Sequence, residues 1–285
     1  MATNTMRSGE YLLAVLGYAA LRDVFRDPEQ TQARIDEMRG VIEGADHPLY
    51  NMEVTFSEHE VVAGYTEWSK SYDRPGINPA IIIEESIVQP ILASLPPGRA
   101  LDVACGTGRH AIHLAALGHD VIGVDATAAM LDLARVKAPT VDFREGQFHA
   151  LPIEDASIDT LTCALALCHE PVLAPAISEF GRVLRPGGVA IISDIHPIST
   201  MTGGAAAFPS ADFGTVPFVR NHVHHMSKYF SAFDSAGLKV TDLAEGIGTE
   251  ETAKLLPSYL AFPDATVRAF AGQPTIVVWT VTKPS

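Results

Sequence analysis

The chain is short of cysteine, of positive charge and of long apolar runs, and each shortage excludes something. Its three cysteines, Cys105, Cys163 and Cys168, form neither an even framework nor a metal-ligand spacing. A disulfide scaffold is thereby excluded, no metal is expected, and a reducing, cytoplasmic setting is expected instead. Lys and Arg number 20 against 34 Asp and Glu, a net charge of −14. Nucleic acid and anionic membranes are therefore poor partners. The apolar stretch 11–21 stops at Arg22 and Asp23. It is too short to span a bilayer and lacks the basic leader of a signal peptide. No internal repeat is visible. What remains is length enough for a buried core, in one large domain or one and a half.

The informative stretch is 99–125, RALDVACGTGRHAIHLAALGHDVIGVD. Residues 100–103 are a short apolar run with Asp102 near its tip. Residues 105–108 are too rich in glycine to continue a strand. From 109 to 117, Ile112, Ala115 and Ala116 recur at helical spacing, and Gly118 is a natural stop. Residues 121–124 form a second buried strand that ends at Asp125. Such a strand–turn–helix–strand unit places ligands at the carboxyl ends of its strands. Gly106 and Gly108 let main chain approach a ligand closely. A carboxylate at the end of the second strand can accept from both hydroxyls of a ribose.

Two cofactor classes fit. The pattern Gly106-x-Gly108-x-x-Ala111 is a relaxed form of the dinucleotide fingerprint, weak on its own. Asp102 ahead of the turn tips the balance, because it can accept from a ligand's ammonium, which a pyrophosphate site does not need. With its LDVACGTG, Asp125, Leu151-Pro152, Asp159 and LRPGG at 184–188, the chain resembles the class I S-adenosylmethionine (SAM) methyltransferases, in particular their small-molecule, natural-product branch. The resemblance runs from about Tyr65 to the C-terminus. It implies an α/β, Rossmann-like doubly wound sheet of seven strands in the order 3-2-1-4-5-7-6, and SAM as cofactor with S-adenosylhomocysteine as product. Two positions depart from the pattern. Ala104 stands where the first glycine usually is, and Gln147 stands where an aspartate usually meets the adenine amino group.

Residues 10–44 have the pattern of two helices broken near Asp27–Pro28, and 1–9 are expected to be loose. A domain division follows, with an N-terminal helical extension at 1–59 and the methyltransferase domain at 60–285. The apolar stripe of the first helix serves its own core or a second subunit, so a homo-oligomer is expected. Residues 60–73 resemble the family's entry helix, whose aromatics cover the cofactor, here Tyr65 and Tyr72. Residues 74–79 form a loop and a candidate lid hinge. Met130 is expected near the ribose or adenine, with Ala126 beside Asp125. Gln147 and Phe148 are expected at the adenine, and Ala164 and His169 at the tip of the fourth strand. The set expected to hold cofactor is thus Tyr65, Tyr72, Asp102, Ala104, Gly106, Gly108, Asp125, Ala126, Met130, Gln147, Phe148, Ala164 and His169. Residues 199–215, rich in Gly, Ala, Ser and Pro, are expected to be a mobile connection facing the acceptor, within a cap insertion at about 197–221.

Methyl transfer from a sulfonium is an in-line displacement that needs alignment and no protein nucleophile. A general base helps only when the acceptor is a hydroxyl. The candidates are His169, His196 and His222, with His224 and His225 beside the last. Asp194, two residues ahead of His196, could orient it. The expected activity is methyl transfer to O, C or N of a small, fairly apolar molecule. The alternatives are a NAD-dependent oxidoreductase using the same turn, and a SAM-binding protein with a cyclase or regulatory role.

Overall fold

A computed structural model describes residues 3–74 and 78–285. The N-terminal segment comprises β1 (Thr3–Arg7), α1 (Ser8–Asp23), α2 (Pro28–Glu43), α3 (Pro48–Asn51) and β2 (Glu53–His59). Two helices, α4 (Val61–Trp68) and α5 (Pro79–Ala93), lead into an alternating run. That run is β3 (Arg99–Val103), α6 (Arg109–Ala116), β4 (Asp120–Asp125), α7 (Ala128–Lys137), β5 (Asp142–Glu145), β6 (Ile158–Ala164), α8 (Ala174–Val183) and β7 (Leu184–Ile195). The chain closes with α9 (Pro197–Met201), β8 (Ala206–Ala207), β9 (Thr215–Val219), α10 (Met226–Ser235), β10 (Lys239–Ile247), α11 (Glu250–Ala253), α12 (Pro263–Phe270) and β11 (Pro274–Thr282).

The large sheet has seven strands in the order β10-β11-β7-β6-β3-β4-β5. Numbered within the domain alone, this is the expected 3-2-1-4-5-7-6. Strands β5, β4, β3, β6 and β7 run parallel, and β11 and β10 complete one edge antiparallel. Both faces are covered, so the strands are nearly continuously apolar. Leu101, Val103, Ile122, Val124 and Ile192 pack toward α8 and α10. Their neighbours Ala100, Val121 and Ile191 pack toward α5, α6 and α7. Gly123 is required by this packing: a Cβ there would stand 2.5 Å from the Phe143 ring. Each fully buried aliphatic side chain stabilises by about 1.5–3 kcal/mol.

The cap differs from expectation. Instead of a loose N-terminus and an unstructured insertion, a second sheet forms in the order β1-β2-β9-β8. β1 lies antiparallel to β2, and β2 parallel to β9, with Thr55 opposite Thr215. The N-terminal extension and the cap insertion therefore share one sheet. It is fastened to α4 by a small core of Trp68, Phe208 and Val219. Gly64 permits the approach, since a Cβ there would stand 2.5 Å from the Val219 side chain.

The apolar stripe of α1 is used within the chain. Val15, Leu16 and Ala19 pack with Val41 of α2 and with Ala265 and Ala269 of α12. α10 starts at Met226, so His222, His224 and His225 lie in the extended approach to it. The candidate hinge at 74–79 has its middle, residues 75–77, outside the described residues. Among the described residues, no helix is long and apolar enough to cross a membrane.

Candidate active site

The glycine turn between β3 and α6 is bent through left-handed main chain at Ala104 (φ 53°), Gly106 (φ 53°) and Gly108 (φ 85°). Glycine adopts this conformation freely; for Ala104 it costs roughly 1–2 kcal/mol. Asp125, at the end of β4, holds the turn from across the sheet. One of its oxygens accepts from Gly106 N–H at 2.8 Å and the other from Thr127 N–H at 2.7 Å. A Cβ built on Gly106 would meet nothing within 4 Å, so the turn faces open space.

A second set of charges braces the turn from below. Glu84 of α5 is completely buried. It accepts from Arg109 at 2.5 Å, His110 at 2.9 Å and Ser193 at 2.8 Å. Burial alone would raise its pKa, but His110 and Arg109 overcome this and hold the carboxyl down to about 2. Asp73, after α4, accepts from Thr107 at 2.7 Å and pairs with Lys137 at 3.0 Å. Glu84 had a signal in the sequence: it shares an i, i+4 stripe with Val88 and Leu92, and a carboxylate on an apolar stripe needs a buried partner.

A cavity of about 190 Å³ opens at the carboxyl ends of the central strands. Ala104, Ala126, Gly146, Gln147 and Phe148 line it from the tips of β3, β4 and β5. Ala166, His169 and Glu170 line it from beyond β6, and Val61, Val62 and Tyr65 from α4. The strand order sets the β5 tip and the β6 tip at opposite ends, with the glycine turn between them.

Of the residues expected to hold cofactor, Tyr65, Ala104, Ala126, Gln147, Phe148 and His169 line this cavity together. Gly106, Gly108 and Asp125 form the turn beside it. Tyr72 lies beyond Tyr65, their ring centroids 6.2 Å apart, and Ala164 is half-buried at the end of β6. Asp102 is buried at the tip of β3, and its oxygens accept from Ala111 N–H at 2.8 Å and Thr162 O–H at 2.7 Å. It joins β3 to α6 and β6. Met130, in α7, is fully buried.

The histidines separate clearly. His169 is in the cavity wall. Its Nδ1 lies 2.9 Å from the Arg220 carbonyl oxygen. A carbonyl only accepts, so Nδ1 carries the proton and Nε2 of the neutral ring is free to accept. Tyr65 O–H donates to that Nε2 at 2.7 Å. Burial lowers the His169 pKa and raises that of Tyr65 well above its ordinary value, so both stay neutral. His196 is no base for this cavity. It caps α9, accepting from Ile198 N–H at 3.2 Å, and pairs with Glu245 at 3.0 Å. Asp194 does not orient it. That buried carboxylate accepts from Cys168 N–H at 3.1 Å, Ile195 N–H at 2.8 Å and the Tyr229 hydroxyl. His222 also stays out of the wall, its backbone N–H donating to the Cys168 carbonyl, and His224 donates to the Glu170 carbonyl at 2.7 Å. The three cysteines are free and buried.

Comparison with known proteins agrees with this arrangement. Residues 101–192 match the family described as methyltransferase domain. Malonyl-acyl-carrier-protein O-methyltransferase of Yersinia pestis is 40% identical over 33% of this chain and 36% of its own. Demethylmenaquinone methyltransferase of Deinococcus radiodurans is 39% identical over 38% of this chain and 48% of its own. The chain thus spans less than half the length of either relative. An S-adenosylmethionine-dependent methyltransferase structure from Mesorhizobium loti shares the fold, with a TM-score of 0.51 at 21% identity, over 68% of this chain and 96% of the other. Residues 101–192 thus match a methyltransferase domain, and the sheet order is shared with the Mesorhizobium loti structure, whose protein depends on SAM. The donor set fits that group: open space at Gly106, a carboxylate at the end of β4, and the apolar ring of Phe148 beyond it.

Proposed function

We propose that the protein transfers the methyl group of SAM to a small, fairly apolar molecule, a bulky secondary metabolite being the favoured class. One observation carries the reading: a single cavity joins the glycine-turn side, at Ala104 and Ala126, to the α4 and β6 side, at Val61, Val62, Tyr65 and His169. A cofactor held at the first and an acceptor held at the second would share one enclosed space.

SAM, when bound, supplies an electrophilic methyl on a positively charged sulfur. The chain's own work is binding and alignment. Asp125 would accept from the ribose hydroxyls. Phe148 and Gln147 would bracket the adenine. Val61, Val62 and Ala166 give the acceptor apolar walls that exclude water. No protein nucleophile is needed, and the cysteines, all buried, are placed for packing. Free cysteines also suit a cytoplasmic setting. Association of copies remains open to Leu21 and Phe25, which are exposed at the end of α1 and just after it.

The test is incubation with methyl-labelled SAM and a set of apolar alcohols, phenols, amines and quinols. Labelled product together with S-adenosylhomocysteine is expected. SAM should raise the melting temperature, by a stabilisation of about 2.7 kcal/mol at a hundredfold excess over Kd, and NADH should not. Binding of SAM with no transfer to any acceptor would instead favour a cyclase or regulatory role.

A further inference from the structure

On the acceptor side the cavity wall is apolar except at Glu170 and where Tyr65 and His169 meet. Three facts about that meeting go together. The Tyr65 hydroxyl and His169 Nε2 are 2.7 Å apart. The far side of the imidazole is fixed by the Arg220 carbonyl at 2.9 Å, so the proton of the neutral ring lies on Nδ1. Both side chains line the cavity.

Neither group is free to swing away. His169 follows Cys168, whose N–H is held by buried Asp194 at 3.1 Å. Arg220, at the end of β9, is tied to Glu58 of β2 by two hydrogen bonds of 2.6 Å. The Tyr65 ring stacks on Trp68 at 5.4 Å, and Trp68 stacks in turn on Phe208 of the cap at 5.3 Å. The cap sheet and the large sheet thus clamp the pair from two sides.

The direction of the hydrogen bond decides what the pair can do. The tyrosine proton is committed to His169, so the tyrosine oxygen faces any visitor with lone pairs only. It can accept a hydrogen bond and cannot donate one. A hydroxyl acceptor needs that partner, because it must lose its proton as its oxygen is alkylated. A neutral amine attacks through its own lone pair and needs no base beforehand. A carbon acceptor gains nothing from a polar pair in its wall.

We propose that Tyr65 and His169 form a proton relay for a hydroxyl acceptor, making the protein an O-methyltransferase; this rests on the methyl-transfer reading above. The acceptor O–H bond breaks and its proton passes to the Tyr65 oxygen. The Tyr65 O–H bond breaks and that proton passes to His169 Nε2. The acceptor oxygen's electron pair forms the new bond to the methyl carbon, and the old S–C bonding pair stays on sulfur as a neutral thioether. His169 is left as an imidazolium, with Nδ1–H still on the Arg220 carbonyl, and loses its extra proton to water when the cavity opens.

The experiment uses the full chain, Tyr65→Phe and His169→Gln, with 1-naphthol and 1-naphthylamine as probe acceptors. Histidine labelled with nitrogen-15 reports the pair without turnover: in the wild type, His169 should show a neutral Nδ1–H ring with a hydrogen-bonded Nε2, and Tyr65→Phe should move the Nε2 resonance. 1-Naphthol should be methylated on oxygen. Each variant should lower kcat by about 10²–10³-fold, as expected for loss of a positioned base. The double variant should be no slower than the worse single one, because residues acting as a unit are not additive. KM and S-adenosylhomocysteine affinity by calorimetry should stay within about threefold. An unmoved Nε2 resonance, turnover within about threefold in both variants, product from the amine only, or no O-methyl product would each overturn the relay. Failure to bind S-adenosylhomocysteine at all would instead overturn the methyltransferase reading itself.

Discussion

At the tips of β3 and β4 the cavity is lined by small residues, Ala104 and Ala126; at the β6 end it is lined by a phenol, an imidazole and a carboxylate among apolar side chains. The first end is assembled from one continuous stretch, 99–148, on the sheet. The second draws on α4, the turn after β6 and the cap, with residues 58, 65, 169 and 220 meeting across the fold. The difference teaches where rigidity comes from. The β4 end is held by carboxylates under the turn, and the β6 end by aromatic stacking against the cap.

Breaking the support under the turn should have the largest effect. Glu84→Ala would leave Arg109, His110 and Ser193 without their shared partner. It should destabilise by about 3–5 kcal/mol, the usual result of removing one side of a buried ion pair, as measured by denaturant unfolding. The same carboxylate sets an acid limb. Its folded pKa of about 2 lies below the ordinary 4.5. Its contribution is therefore fully present above about pH 4.5 and is lost as pH falls toward 2. The difference is roughly 3 kcal/mol. Stability curves of Glu84→Gln should lack that limb; an unchanged acid limb would show that another group supplies it.

Asp125→Ala comes next. It should weaken S-adenosylhomocysteine binding by roughly 1.5–3 kcal/mol per charge-assisted hydrogen bond lost, about 10- to 100-fold for one bond, by calorimetry. An unchanged Kd would remove Asp125 from the ribose site. Ala104→Gly should act in the other direction and more weakly. It relieves a left-handed alanine worth roughly 1–2 kcal/mol, offset by about 0.5–1 kcal/mol of added chain entropy, for a net gain near 0.5 kcal/mol. Smallest of all, His196→Ala should leave turnover within about threefold, because that ring serves α9 and Glu245. A loss of a hundredfold would return His196 to the acceptor site.

The same contrast explains what could be read in advance. The turn end was legible because strand, glycines, helix and carboxylate follow one another within 27 residues, and their spacing carries the geometry. Even there, the sequence did not show that Asp102 also ties β3 to α6 and β6, because its partners, the Ala111 N–H and Thr162, are set by tertiary packing. The cap was not legible. β2 pairs with β9 across 160 positions, Thr55 with Thr215, and no local period announces such a pairing. The short β-branched and aromatic runs VTF at 54–56 and TVPFV at 215–219 were its only trace. The Tyr65–His169 pair was half visible. Each residue could be named singly, but their contact depends on α4 and the β6 turn meeting beneath the cap.

The most direct test of the central claim, that SAM binds at the open face of this glycine turn, is calorimetric titration of S-adenosylhomocysteine into the wild type and Gly106→Val. Gly106 has φ 53° and open space where a Cβ would stand. A valine there would occupy the ligand's volume while leaving the core untouched. The account predicts one-to-one binding to the wild type and none to a folded Gly106→Val. Equal binding to both proteins would contradict it.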